Sequence, residues 1–219
     1  MVKRDKVFQI TDHIILFLLA LFCILPLLLL FSSSFSNETA ILHEGYHILP
    51  REFDLTAYKY ILNGSSGILR SYGISAIITI VGTLGNLFLT ILYAYPISRG
   101  DLKGRTFFSF FLFLTILFNG GLIPTYMMWT NTFHIKNSYL AYILPNLLMN
   151  GFFVIMARNF FTANIPVALL ESAKIDGAGE FRILRDIVLP MSKPILATLG
   201  LFVSLNYWND WQNGLYYIS

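Results

Sequence analysis

Five apolar runs, each close to the roughly 20 residues needed to cross a hydrocarbon layer, constrain this chain more than any other feature. They cover approximately residues 14–31, 74–97, 107–129, 139–156 and 195–217. Lipid offers an open backbone no hydrogen-bond partner, so all five are expected to be helices. The expected fold class is therefore all-α, a polytopic transmembrane helix bundle. Composition points the same way: 56% of residues are hydrophobic and 12% charged, about half the charged share of an ordinary soluble domain. The single cysteine, Cys23, lies inside the first run and excludes both an intramolecular disulfide and a thiolate metal cluster. A net charge of +3 gives no reason to read nucleic-acid binding.

Lys3, Arg4 and Lys6 precede the first run as they would in a signal peptide. Its apolar stretch is too long, and residues 31–36 lack a small-x-small cleavage site, so it reads as a retained anchor. With the N-terminus cytoplasmic, the inner side carries Lys3, Arg4, Lys6, Arg99, Lys103, Arg105, Arg158, Lys174, Arg182, Arg185 and Lys193, which is 11 of the 15 basic residues. That bias predicts an N-in topology, with Trp129, Trp208 and Trp211 at outer helix ends. Two regions are expected: residues 1–71, an N-terminal transmembrane helix plus an external segment, and a bundle core over residues 72–219. In the external segment, Pro50, Phe53, Leu55, Tyr58, Ile61 and Leu62 have the spacing of a short amphipathic helix lying on the membrane. A turn cluster at residues 63–67 returns the chain to the bilayer.

Several runs hold residues that plain anchors avoid: Gly82, Gly85, Asn86 and Pro96; Asn119, Gly120, Gly121 and Pro124; Pro145, Asn146 and Asn150; Asn206, Asn209 and Asp210. Small residues allow close helix approach and amides bond between helices. Polar groups at membrane depth also mark solute pathways. Gly120-Gly121 followed by Pro124 suggests a broken helix lining a cavity. Asn119, Asn146, Asn150, Asn206, Tyr207, Trp208 and Asn209 are accordingly the candidate solute pathway, with amides for hydroxyl groups and flat rings for apolar sugar faces. Trp211 reads as an interfacial residue.

The one long charged stretch of the second half spans residues 171–190. Pro166 is placed to begin a helix. Leu169 and Ala173, four apart, share a face, and Asp176-Gly177 stops the helix. A second short helix follows, with Phe181, Leu184, Ile187 and Val188 on one side and Arg182, Arg185 and Asp186 on the other. Pro190 and Pro194 break it before the fifth run. The expected result is a helix–turn–helix elbow at the membrane surface.

Glu171, Ala173, Gly177, Ile187, Leu189 and Pro190 resemble, at matching spacing, the EAA motif of permease subunits in binding-protein-dependent ABC importers. Ser172 departs from it by one small-for-small change, and Asp176 with Ala178 fits the Asp-Gly-Ala form common in sugar importers. Residues 94–99, Pro50 with Phe53 and Tyr58, Trp208-Asn209 and the stretch 119–126 are similar to carbohydrate-type members. The resemblance implies the type I ABC-importer permease fold and a coupling loop at residues 165–190 that docks on a cytoplasmic ATPase. Glu171 and Asp176 would be polar contacts and Gly177 the turn, while Ile187, Leu189 and Pro190 would anchor the elbow. Implied partners are a second permease, two ATPase subunits and an extracytoplasmic sugar-binding protein, in a bacterial plasma membrane. ATP and Mg²⁺ would belong to the ATPase, and this chain would bind no cofactor of its own. The family usually has a sixth span, so five spans make the chain look C-terminally incomplete.

Two other readings compete. His43-Glu44-Gly45-Tyr46-His47 matches H-E-x-x-H, the helix-borne zinc protease pattern, which needs both histidines on one helix face. Gly45 inside it and Pro50 beyond it favour a loop. An ion-gradient-driven secondary transporter would bury ionisable groups mid-membrane; the five runs carry none near their centres. The absence of G-x-x-x-x-G-K-[ST] argues that the chain is not itself the ATPase.

Overall fold

A computed structural model describes residues 6–64, 66–145 and 147–218. Among these the chain is helical apart from turns, π-type turns and one isolated antiparallel bridge between Ser36 and Phe53. It divides within one long helix, between Ser71 and Tyr72, into two compact units.

The first unit begins with α1 (Lys6–Ser34), which runs straight through Pro26. Phe17, Phe22 and Leu30 are exposed around it, as expected of a helix whose solvent is lipid. The hydroxyls of Ser33 and Ser34 donate to the carbonyls of Leu29 and Phe31, both at 2.7 Å, and close its last turn. α2 (Glu38–Glu44) is capped by Asn37, whose Oδ1 accepts the Thr39 N–H. α3 (Thr56–Gly64) is capped by Asp54, which accepts from Thr56 Oγ1 at 2.6 Å and Thr56 N at 2.8 Å. The Thr56 hydroxyl bond, then its backbone bond, hold the Asp54 carboxyl below the usual range. The expected surface helix is therefore shorter than its apolar spacing suggested. Pro50, Phe53 and Leu55 precede it, and Phe53 stacks on Phe35, with ring centroids 5.5 Å apart.

In the second unit α4 (Ser66–Ser98) is a long apolar helix, and α5 (Arg105–Leu117) follows a tight basic turn. The third run is broken as its glycines predicted. α6 (Leu122–Met127) leaves α5 at 112°, Gly121 takes φ +82°, and Asn119 Oδ1 accepts the Gly121 N–H. The fourth run departs from a single helix over 139–156. Only Leu140–Ile143 forms a turn, α7, after which residues 144–145 and 147–150 are irregular until α8 (Gly151–Asn164). Pro145 supplies no N–H to continue α7, and Asn150 starts α8 by accepting the Phe152 N–H. α9 (Val167–Ile175) then turns off α8 by 79°.

α10 (Glu180–Ile183) runs through a wide turn over Leu184–Val188 into α11 (Leu189–Met191). In that turn the Leu189 N–H bonds to Leu184 O, five residues back. Pro190 explains it: its ring clashes with the carbonyl four residues upstream and it offers no hydrogen to that carbonyl, which opens the preceding turn. The sharp 81° bend falls at Ser192, so Pro190 and Pro194 each sit near the start of a helix instead of ending one. α12 (Lys193–Trp208) and α13 (Gln212–Tyr217) form a fifth run interrupted at residues 209–211. Counting each bent pair once, the described residues hold up to five helices apolar enough to span a membrane.

The core joins α4, α8, the turn after α10 and α12 through Ala94, Val154, Ala157, Val188, Leu199 and Val203, each at most 1% exposed, and α9 adds Leu170 and Ala173. Gly82 lets α12 approach α4: a Cβ there would lie 2.4 Å from Tyr207 Cζ.

Candidate functional site: the elbow and the polar cavity

The elbow is built by a helix end that satisfies its own backbone. α9 stops at Ile175, with Asp176 as cap and Gly177 at φ +80°. Ala178 N–H bonds to Ala173 O at 2.9 Å and Gly177 N–H to Lys174 O at 3.0 Å, the paired bonds of a Schellman end. Nothing lies within 4 Å of a Cβ built on Gly177, so glycine is required there for its left-handed backbone alone. Pro166 caps the helix, which starts at Val167.

The buried face of the elbow differs from the expected one. Leu170 and Ala173 pack into the core, while Leu169 is exposed. Ile183, Leu184 and Val188 are buried after the turn, with Ile187 and Leu189 packed partly against them. Phe181 is 70% exposed, and Pro190 is exposed as well. The wide turn explains the shift, because it rotates the helix away from the 3.6-residue phase that the sequence pattern assumes. Glu171, Ser172 and Asp176 are exposed. Glu171 lines a groove of about 460 Å³ with Tyr95, Arg99, Thr162, Ile165 and Lys174.

Sequence reading missed the charge cluster that ties this elbow to the end of α4. Lys174 Nζ lies 2.7 Å from Asp101 Oδ2 and 2.7 Å from Glu180 Oε1. Arg99 donates to both oxygens of Asp101, at 3.1 and 3.3 Å, and Tyr95 Oη donates to Glu180 Oε2 at 2.6 Å. The Arg99 bond, then the Lys174 bond, hold the Asp101 carboxyl well below the usual range. Glu180 is pushed up by partial burial, yet the bonds from Lys174 and Tyr95 outweigh that and leave it lowered. Bonds to Asp101 and then Glu180 raise Lys174. The available signal was the four-residue spacing of Tyr95, in the last turn of α4, and Arg99, the first residue beyond it.

The candidate solute residues do not gather at one place. Asn206 and Asn209 line a cavity of about 310 Å³ with Asp210, Trp211, Gln212 and Leu147. Trp208 lies elsewhere, tilted against Tyr72 at 6.5 Å between ring centroids. Tyr207 is 4% exposed, and its hydroxyl donates to Ile143 O at 3.1 Å. Asn150 caps α8, and Asn119 makes its local turn. Asn146 lies outside the described residues. Trp211, read from sequence as interfacial, shares the cavity with the two amides.

Tyr207 belongs to a set of long-range donors. Asn86 Nδ2 donates to Leu147 O and Asn213 Nδ2 to Pro145 O, so three carbonyls of residues 143–147 are satisfied from α4, α12 and α13. Irregular backbone at membrane depth persists only where such partners exist.

The H-E-x-x-H match dissolves at Gly45, which ends α2 and leaves His47 off the helix that carries His43 and Glu44. Glu44 pairs with Arg51. No metal-holding group of three or more His, Cys, Asp or Glu occurs among the described residues.

Apolar broken spans mark a polytopic membrane protein, and residues 101–211 match the family described as "Binding-protein-dependent transport system inner membrane component". The chain belongs to that family, the permeases of ABC importers, and has their type I fold. Among relatives it is 38% identical to Protein LplC of Bacillus subtilis (strain 168), over 99% of this chain and 72% of that protein. It is 37% identical to the polygalacturonan/rhamnogalacturonan transport system permease protein YtcP of the same organism, over 99% and 74%. The crystal structure of a bacterial ABC transporter involved in the import of the acidic polysaccharide alginate superimposes with a TM-score of 0.86 at 30% identity, covering 95% of this chain and 73% of that one.

Proposed function

We propose that this chain is the permease subunit of an ATP-driven importer that carries a carbohydrate, an oligosaccharide by preference, across a bacterial plasma membrane. It pairs with a second permease, two cytoplasmic ATPase subunits and an extracytoplasmic sugar-binding protein, and its N-terminus is cytoplasmic. ATP and Mg²⁺ bind the ATPase, not this chain. One observation carries the reading: a Schellman elbow whose outer face presents Glu171, Ser172, Ile175 and Asp176 while its inner face packs into the core. Ile175, 86% exposed, is an apolar knob that a cleft on the ATPase would cover. ATP-driven closure of the ATPases would push this face and rotate the spans as rigid bodies. The Asn206, Asn209 and Trp211 cavity supports sugar as the solute, since amides match hydroxyls and an indole matches an apolar ring face.

Crosslinking tests the coupling role. Ser172→Cys, alkylated with a benzophenone-bearing maleimide in a Cys23→Ala background and irradiated in native vesicles, is expected to form a covalent adduct with the ATP-hydrolysing subunit. If no adduct forms while the complex is intact, the elbow is not the docking element and the reading fails.

A further inference from the structure

The Gly177 turn stands in open space, with no side chain within 4 Å of where its Cβ would be. A push on α9 would be absorbed by flexing there unless something fastens the two arms of the elbow. Lys174 and Glu180 flank Gly177 symmetrically, three residues to either side, and their ion pair at 2.7 Å bridges the turn. The same ammonium reaches Asp101 at 2.7 Å, on the loop that follows α4. Each carboxylate is held from behind: Asp101 by the Arg99 fork, and Glu180 by the Tyr95 hydroxyl. The Arg99 side chain is only 11% exposed, so this anchor is fixed in the core end of α4. Two cations and two carboxylates alternate in a neutral set, closed loosely by Arg99 Nη2 at 3.9 Å from Glu180 Oε1. By contrast, Arg182 and Arg185 pair with Asp186 within one arm of the elbow.

We propose that Lys174 is a positioning residue for coupling: by bridging Asp101 and Glu180 it locks both arms of the elbow to the end of α4, so that force on α9 is delivered to that span. The proposal rests on the elbow being the ATPase-docking loop. Lys174 contacts neither solute nor nucleotide; it keeps the lever stiff. A long flexible ammonium in this place acts only through its two partners, so arginine should replace it and a neutral isostere should not.

The test uses the assembled importer in proteoliposomes, in a Cys23→Ala background, with spin labels at Phe88 on α4 and Val167 on α9. Distances are recorded without nucleotide and with ATP plus vanadate. The unmodified elbow should give one narrow distribution in both states. Lys174→Met should broaden it about twofold, Lys174→Arg should leave it narrow, and Glu180→Gln, which keeps the shape of the side chain, should broaden it less. A separate complex carrying Asp101→Cys and Lys174→Cys follows the elbow by a fluorophore pair at the two label positions, introduced as an unnatural amino acid. Joining the cysteines with a short bis-maleimide should restore the narrow distribution. Equal widths for the unmodified, Lys174→Met and Glu180→Gln complexes, or no narrowing on tethering, overturn the latch. The Ser172 adduct separates the two ideas: if it forms and the widths are equal, the latch alone falls, whereas its absence in the unmodified complex removes the reading beneath both.

Discussion

The elbow at residues 165–190 and the irregular stretch that follows Ile143 both interrupt helices, and they resolve the interruption in opposite ways. The elbow satisfies its backbone from within: Ala178 and Gly177 close on Ala173 and Lys174, and the neighbouring charges are fastened where water has access. The irregular stretch cannot do this. Its carbonyls at Ile143, Pro145 and Leu147 accept from Tyr207, Asn213 and Asn86, which lie 64, 68 and 61 residues away in sequence. A break that closes on itself can move as a body, whereas one held by three neighbours pins those neighbours together. This contrast suits the elbow to transmitting force and the stretch to holding the bundle.

Substitutions can break the comparison, beginning with the tightest contact. Gly82→Val would drive a side chain into the Tyr207 ring and should cost about 3 kcal/mol, at the upper end of overpacking penalties. Thermal unfolding in detergent should show it as the largest loss in this set, with poor membrane yield. Asn86→Leu removes the donor to Leu147 O, and about 1.5 kcal/mol is expected, near the upper range for hydrogen bonds between membrane helices. If Asn86→Leu unfolded no earlier than the parent, the claim that distant amides hold the irregular stretch would be wrong. Gly177→Val imposes a left-handed backbone on a β-branched residue, about 1–2 kcal/mol of local strain. Its signature should be functional: ATP hydrolysis by the assembled complex persists while transport falls by an order of magnitude or more. Thermal stability dropping as far as with Gly82→Val would place the elbow among the structural pins instead.

The smallest effect concerns pH. Asp101 and Glu180 are lowered, so their contribution is full above the ordinary carboxylate range and is lost as pH falls through their folded values. Lys174 is raised, so its contribution is full below the ordinary lysine value and is lost above its folded one. Between about pH 5 and 10 the cluster should therefore stay charged and the elbow's mobility should stay flat. Salt should loosen it modestly, because exposed pairs are screened. A change in spin-label mobility at Val167 near pH 7 would show that another group governs the elbow.

The same contrast explains what the sequence made legible. Gly177, the break at Gly120-Gly121 and four of the five apolar runs are local signals found in the fold near their expected positions, whereas the fourth run is helical mainly from Gly151 to Asn164. The inward face of the elbow was misjudged because one wide turn shifts its phase, which moves Phe181 out and Ile183 in. Tyr207 was a candidate sugar platform because its ring offers a flat apolar face in a span; the partner of its hydroxyl, Ile143 O, is visible only once the chain is folded. Lys174 carried no pattern of its own, since Asp101 is 73 residues away.

The five-residue loop of backbone between Leu184 and Leu189 has a consequence for how this segment is compared with others. It holds one residue beyond a regular coil, so every position after it is turned by about 100° from an unbroken continuation. Deleting a single residue there would straighten the coil and leave Leu189 and the whole of Lys193–Trp208 facing as they do now. Alignments that count positions from Gly177 to Pro190 thus preserve orientation in space only in chains that keep the same surplus.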